Sequence, residues 1–189
     1  MDAVALGLAL GLGAGLAPGP MLALVLSATL QGGFLAGARV ACAPLLSDAP
    51  VVILSVLVLQ GLPDGVLAAL SLAGAGVLLW LAADALRAAP VEAGSGSDLG
   101  RAVLVNVLNP HPWIFWITVG GPLLVEATTP EATGFLVAFY ALLIGTKVAL
   151  AGVVAAGRRS ALTRHVRPIS AVLLAAAAVA LLADGLSRL

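Results

Sequence analysis

Charge is what this sequence has least of. Asp, Glu, Lys and Arg together make up 10% of the 189 residues, whereas apolar residues make up 61%. An ordinary soluble domain has about 25% charged and roughly 45–50% apolar residues. Because so few polar groups are present to cover a surface in water, we predict an integral membrane protein.

Cysteine, paired carboxylates and nucleotide-binding loops are also scarce or missing. Cys42 is the single cysteine, which excludes an internal disulfide, a CxxC redox pair and a thiolate metal cluster. Asp48 has no second central carboxylate with which to form an aspartyl-protease pair, and no GxxxxGK[ST] loop is present to bind ATP. We therefore expect no enzymatic activity, no cofactor, no bound metal and no nucleic-acid partner.

Long apolar runs are abundant instead. They reach the ~20 residues that an α-helix needs to cross about 30 Å of hydrocarbon, whereas barrel strands are shorter and alternate in polarity. We therefore predict an all-α integral membrane protein with six transmembrane helices. The predicted spans cover residues 3–30, 35–60, 65–86, 102–124, 133–157 and 168–187.

Basic residues are distributed unevenly among the predicted loops. Seven arginines flank or occupy the first, third and fifth loops, and Arg188 is the sole basic residue at either terminus. Because Lys and Arg are retained on the cytoplasmic side, we expect both termini to lie on the periplasmic or extracellular side. The seven are Arg39, Arg87, Arg101, Arg158, Arg159, Arg164 and Arg167.

A stretch rich in Gly, Ser and Pro, residues 89–100, is typical of a flexible linker. It divides one transmembrane domain, residues 1–189, into a first half (1–88) and a second half (101–189) of three spans each. Two halves with an odd number of spans must be inverted relative to one another, as in many secondary transporters.

Weak sequence matches recur in the same order in both halves. The PGP of residues 18–20 aligns with the NPHP of 109–112, and the Ser-Asp of 47–48 aligns with the Thr-Lys of 146–147. The matches favour two inverted repeats. Chance self-similarity of Ala- and Leu-rich sequence is the alternative.

The two proline motifs and two charges have similar predicted depths. Gly19, Asp48, Pro110 and Lys147 lie about 14 to 20 Å from the cytoplasmic ends of their spans, at ~1.5 Å per residue. That is close to half of the ~30 Å hydrocarbon core, so we expect all four near the membrane midplane.

Two prolines two residues apart are expected to open a helix, because proline lacks an N–H and clashes with the carbonyl four residues earlier. We expect the helices to resume at Met21 and Trp113, with free amides suited to a carboxylate. Matched helix breaks indicate a transport site, although ordinary kinking for packing is the alternative. The carbonyls expected to be freed are those of Ala14, Leu16, Asn106 and Leu108.

PGP in the first span, Asp after a small residue in the second and Asn-Pro in the fourth resemble the lysine-exporter superfamily of LysE/RhtB-type amino-acid exporters. The resemblance covers nearly the whole chain. It implies a proton-driven exporter of amino acids or related small metabolites in the bacterial cytoplasmic membrane. It also implies functional roles for Pro18, Gly19, Pro20, Asp48, Asn109 and Pro110.

The chain departs from the family pattern at two places. Ser47 stands where the family often has Gly, and His111 and Pro112 stand where many members have Lys and a small residue. These departures leave the identity of the substrate open.

Asn106, His111 and Lys147 complete the predicted transport path. His111 lies in a helix break, where it would bind substrate or relay a proton, although a lone histidine is more often structural. The aromatic cluster of residues 113–116 either lines a pocket or packs between helices.

Asp48 and Lys147 are predicted to form an ion pair between the halves. Each charge alone costs ~2.5–3.5 kcal/mol at mid-membrane, so two unpaired charges would cost roughly 5–7 kcal/mol. The alternatives are a purely architectural pair, or a Lys147 side chain that extends towards the cytoplasmic side.

Two other functions remain open. An ion or metal-cation carrier would need several inward carboxylates or His and Cys ligands, and a non-transporting scaffold would not need matched helix breaks. We therefore favour a secondary carrier whose partners are a small solute, protons and membrane lipid.

Gly7, Gly11 and Gly15 permit close helix contact within the chain or in a homo-oligomer.

Overall fold

The computed structural model describes residues 2–87 and 98–157, together with single positions and short runs between 168 and 186. Most of the predicted linker, the arginines of the fifth loop, Arg188 and much of the sixth predicted span lie outside the described residues. Every regular element in the described part is helical, which agrees with the all-α prediction. The helices are α1 (Ala3–Leu16), α2 (Pro20–Ala41), α3 (Ala43–Leu59), α4 (Asp64–Arg87), α5 (Leu99–Leu108), α6 (Pro110–Phe115), a π-helix (Trp116–Gly120), α7 (Gly121–Glu126) and α8 (Thr129–Ala155).

Three helical stretches of the described residues are long and apolar enough to cross a membrane: Pro20–Leu59, Gly65–Ala83 and Thr129–Ala155. The pair Leu99–Leu108 and Pro110–Glu126, bent by 56°, makes a fourth if it is counted as one span. α1 is apolar but has only 14 residues. The described part therefore supports a membrane protein, and the six spans and two repeats remain predictions.

Gly33 divides α2 into two arms that run in opposite directions. Its φ of 76° and ψ of −174° are not helical, and glycine tolerates a positive φ because it has no Cβ. Beyond it, Gly37 lies against the hydroxyl of Thr29 and the carbonyl of Val25. Residues 25 and 37 would be about 18 Å apart in a straight helix, so the chain must reverse at Gly33. The reversal lies between the first two predicted spans.

α1 packs along α8 through a row of glycines. The row consists of Gly7, Gly11 and Gly15. A Cβ added to any of these glycines would meet the backbone or side chains of α8, which shows that the two helices approach closely. Residue numbers rise together along both helices, so α1 and α8 are parallel. This contact resolves the role left open for the glycine row in favour of packing within the chain. The pairs are Gly7 with Phe135, Gly11 with Phe139, and Gly15 with Thr146.

The directions of the other helices follow from similar pairs. α4 runs antiparallel to the segment formed by α6 and the π-helix, whereas α3 runs parallel to the segment from α5 to α7. If successive spans alternate in direction, the third and fourth spans must be antiparallel and the second and fourth spans must be parallel, as these helices are. The pairs are Gly74 with Thr118 and Trp80 with His111 for α4, and Asp48 with Asn106 and Ser55 with Gly121 for α3.

Candidate functional site

Both proline motifs end one helix and begin another. α1 ends at Leu16 and α2 begins at Pro20, with Gly19 extended between them. Proline suits the first position of a helix because its missing N–H would have no helical partner there. This arrangement confirms the predicted break at residues 18–20, although α2 begins at Pro20, one residue before the predicted Met21.

The second break also forms, but its helix resumes earlier than predicted. α5 ends at Leu108 and α6 begins at Pro110 rather than at Trp113. Pro112 falls within the first turn of α6, where amides lack helical partners, so it does not delay the helix. The side chain of Asn109 accepts a hydrogen bond from the His111 amide at 3.1 Å and thereby caps α6.

A cavity of about 140 Å³ lies between the two breaks. It brings together eight of the nine residues predicted for the transport path, and the exception, Pro110, is exposed. The two breaks, which are about 90 residues apart in sequence, therefore open onto one space. The eight are Pro18, Gly19, Pro20, Asp48, Asn106, Asn109, His111 and Lys147.

The aromatic cluster of residues 113–116 divides between the two roles considered for it. Phe115 and Trp116 line the cavity. The indole N–H of Trp113 instead donates to the carbonyl of Val107 at 2.8 Å, across the helix break. Trp113 therefore stabilises the bend, because it satisfies a carbonyl next to the interruption.

Asp48 is 4% exposed and is surrounded by hydrogen-bond donors. Its Oδ1 accepts from Asn106 Nδ2 at 2.7 Å and from the Ser47 hydroxyl at 3.4 Å. Its Oδ2 accepts from the Tyr140 hydroxyl at 3.4 Å, and Trp116 lines the same cavity. An ionised carboxylate accepts all of these bonds, because it has two oxygens and no proton to place.

Tyr140 is a site residue that the sequence analysis missed. It is the only tyrosine in the chain, and it lies on α8 seven residues before Lys147. A polar ring two turns from a buried charge on the same helix is the signal that would have placed it at the site.

The π-helix positions Trp116 beside Asp48. Its wider turn puts Gly120 directly against the indole ring, in space that a side chain would occupy. Trp116 is only 1% exposed and packs against Phe139 and Tyr140, with ring centroids 5.4 and 6.2 Å away. Short π-helical turns are rare and frequently occur at functional sites.

Lys147 is 3% exposed, and its ammonium group binds the open end of α1. Nζ donates to the carbonyls of Ala14 at 3.0 Å and Gly15 at 3.1 Å. The freed Ala14 carbonyl was predicted from Pro18. The side chain does not extend towards the end of α8 that was predicted to be cytoplasmic, because these carbonyls hold it at the cavity.

The predicted direct ion pair between Asp48 and Lys147 is wrong for this structure. Both side chains line the same cavity, but their hydrogen-bond partners are separate. Two of the three side chains that donate to Asp48, those of Asn106 and Tyr140, come from the second half of the chain, and both carbonyls that bind Lys147 come from the first. Each charge is therefore held by the opposite half.

His111 lines the cavity and also contacts α4. Its ring is edge-on to that of Trp80, with centroids 5.1 Å apart. The residue thus has both a packing partner and access to the cavity. Among the described residues, no group of three or more His, Cys, Asp or Glu side chains is placed to hold a metal ion.

The model of the LysE type translocator family matches residues 13–187. The match includes both helix breaks and both buried charges. Comparisons with curated proteins and with solved structures gave no match.

Proposed function

Because the chain belongs to the LysE type translocator family, we propose that it exports amino acids or related small metabolites across the bacterial cytoplasmic membrane, driven by the proton gradient. The observation that carries this proposal is the cavity, onto which two broken helices and two buried, opposite charges open. In lipid, unpaired backbone and buried charges are tolerated where they line such a space.

Each buried charge is hydrogen-bonded to the opposite half of the chain, and this arrangement supports a mechanism in which the halves move relative to each other. Asp48 bonds to residues on α5 and α8, and Lys147 bonds to the end of α1. Solute binding at either charge competes with these bonds. Loss of the bonds would free the halves to rock about the cavity, as in transporters built from repeats.

Proton coupling is assigned to Asp48. A proton on this carboxylate replaces an acceptor with a donor, and the donors of Asn106 and Tyr140 then lose part of their acceptor. Protonation therefore weakens the contact between the halves at the point where the solute binds. This coupling makes use of the one carboxylate among the described residues that line the cavity.

An efflux screen tests the proposed function. Cells loaded with amino acids or dipeptides are compared with and without the protein, and with the Asp48→Asn variant. We expect faster export of at least one amino acid, and a loss of at least about tenfold in Asp48→Asn. Glu126→Gln, which removes an exposed carboxylate outside the cavity, is the matched control. Equal export by all four cell types for every solute would contradict the proposal.

A further inference from the structure

We infer that the cavity binds a small zwitterionic amino acid with an uncharged side chain, with its ammonium group at Asp48 and its carboxylate at Lys147 and the start of α2. This inference rests on the proposed function and narrows its substrate class.

The charges of the cavity match those of a zwitterion. Among the described lining residues, Asp48 is the single carboxylate and Lys147 the single lysine. Both are almost fully buried, and an unbalanced charge is unfavourable in such surroundings. A solute with one positive and one negative group provides a partner for each, whereas a simple amine or a simple acid serves only one of them.

The carboxylate end is defined by donors. An ammonium group has three N–H donors, and Lys147 directs two of them at Ala14 and Gly15. Nearby, α2 begins at Pro20 with no side-chain cap, so its first amides and positive dipole end are available to an anion. Gly19 has no atoms within 4 Å of where a Cβ would stand, which leaves space for the anion to approach.

The ammonium end is defined by Asp48 Oδ2. Oδ1 already receives a 2.7 Å bond from Asn106. The bond from Tyr140 to Oδ2 is 3.4 Å long, beyond the ~2.5–3.0 Å of a strong O–H···O bond. Oδ2 therefore retains the capacity to accept a cation.

The rest of the cavity limits the solute's side chain. The remaining lining is largely apolar, with Leu10, Leu81, Phe139 and Leu143 among its members. A basic side chain would need a second carboxylate, which the described lining does not supply. The volume of about 140 Å³ is close to the ~150 Å³ of a cavity known to accept benzene, so it fits a solute of few heavy atoms.

Ligand-induced stabilisation of the purified full-length protein tests this assignment. Melting temperatures in detergent are measured with valine, isobutylamine, 3-methylbutanoate and lysine at equal concentrations. We expect valine to raise Tm with an apparent affinity at least about tenfold higher than that of each other compound. Equal stabilisation by the amine, the acid or lysine would overturn the inference, and so would no stabilisation by valine.

Substitutions at the two charges should change which compounds raise Tm. A purely structural defect would lower Tm without changing the preference among compounds. In Lys147→Met, the preference for valine over isobutylamine should disappear, and in Asp48→Asn the preference over 3-methylbutanoate should disappear. If these variants do not fold, Leu81→Glu places a second carboxylate in the lining and should allow lysine to raise Tm. A retained preference in the first two, or no lysine response in a folded Leu81→Glu, would contradict the inference.

The transport arm separates the two proposals. If valine raises Tm but no solute moves in the efflux screen, the proposed function fails while the binding assignment stands. If another solute is exported and valine has no effect on Tm, the proposed function stands and the binding assignment fails.

Discussion

At the scale of single residues, the site consists of two charges with separate supports. Asp48 sits among donors from three helical segments, and Lys147 closes the end of α1. Hydrogen bonds to charged groups are each worth about 1.5–3 kcal/mol, so these contacts provide relief that a direct ion pair would otherwise supply. The free-energy cost of burying two charges could be predicted from the sequence. The hydrogen bonds that offset this cost could not, because most of the partners are distant in the chain.

Removing both charges should cost less than the sum of the two single losses, because each single variant leaves one buried charge without its opposite in the same cavity. Asp48→Asn deprives Asn106 of an acceptor, and Lys147→Gln weakens the bonds to Ala14 and Gly15, but the two sets share no partner. We expect each single variant to lower the free energy of unfolding by about 1–3 kcal/mol. The double variant should therefore lose less than this sum, though more than either single variant, since the two sets of hydrogen bonds are separate. Unfolding in detergent measures this, and a double variant more stable than either single one would indicate a direct pair.

The sequence identified Asp48, Lys147 and both breaks because each signal is local. A charge in an apolar run and a proline in a helix have consequences that do not depend on distant partners. Tyr140 was missed because its bond to Asp48 joins residues 92 positions apart. The predicted restart of the helix at Trp113 was wrong. A second proline does not delay the start of a helix when it lies within the first turn, because the amides there have no helical partners.

At the scale of helices, the contact between α1 and α8 determines where Lys147 can reach. Both helices are parallel, and their glycine contacts keep the backbones close from Gly7 to Gly15. The end of α1 is thereby placed against the part of α8 that carries Lys147. Helix packing in lipid depends on such close contacts, because burial of apolar surface gives no advantage there.

Gly11→Leu tests this packing. A side chain at residue 11 would collide with the backbone of Phe139, which cannot move without displacing α8. We expect a loss of stability of about 1–3 kcal/mol or more, measured as a lower Tm in detergent. Gly76→Leu is the matched control, because Gly76 is exposed on α4 and has nothing within 4 Å of its Cβ position. Equal Tm values for the two variants would refute the proposed role of the glycine row.

At the scale of the whole molecule, the alternation of helix directions fits a chain that crosses the membrane repeatedly. The reversal at Gly33 was predicted as a loop between spans, yet α2 was not predicted to continue on both sides of it. The single domain of residues 1–189 and its division near residues 89–100 remain predictions. The inverted repeat was inferred from three spans in each half. It also remains a prediction, because the sixth span lies largely outside the described residues.

The predicted topology places both ends of this chain outside the cytoplasm. The seven arginines of the odd-numbered loops carry this prediction, because basic loops are retained in the cytoplasm. Reporters active only in the periplasm, fused to either end, should be active, and cytoplasmic reporters should be inactive. A cytoplasmic signal from either end would exclude six spans with this orientation, and a signal from one end alone would exclude the inverted repeat as well.

The most direct test of the central claim is solute movement by the purified protein in proteoliposomes with an imposed pH gradient. We predict that an amino acid moves against its own gradient when protons flow in the opposite direction, and that movement stops when an uncoupler collapses the pH difference. Asp48→Asn should abolish the response to the gradient, and Glu126→Gln should keep it. Amino-acid movement that is the same with the pH gradient, without it and in Asp48→Asn would contradict the claim that this cavity couples proton flow to export.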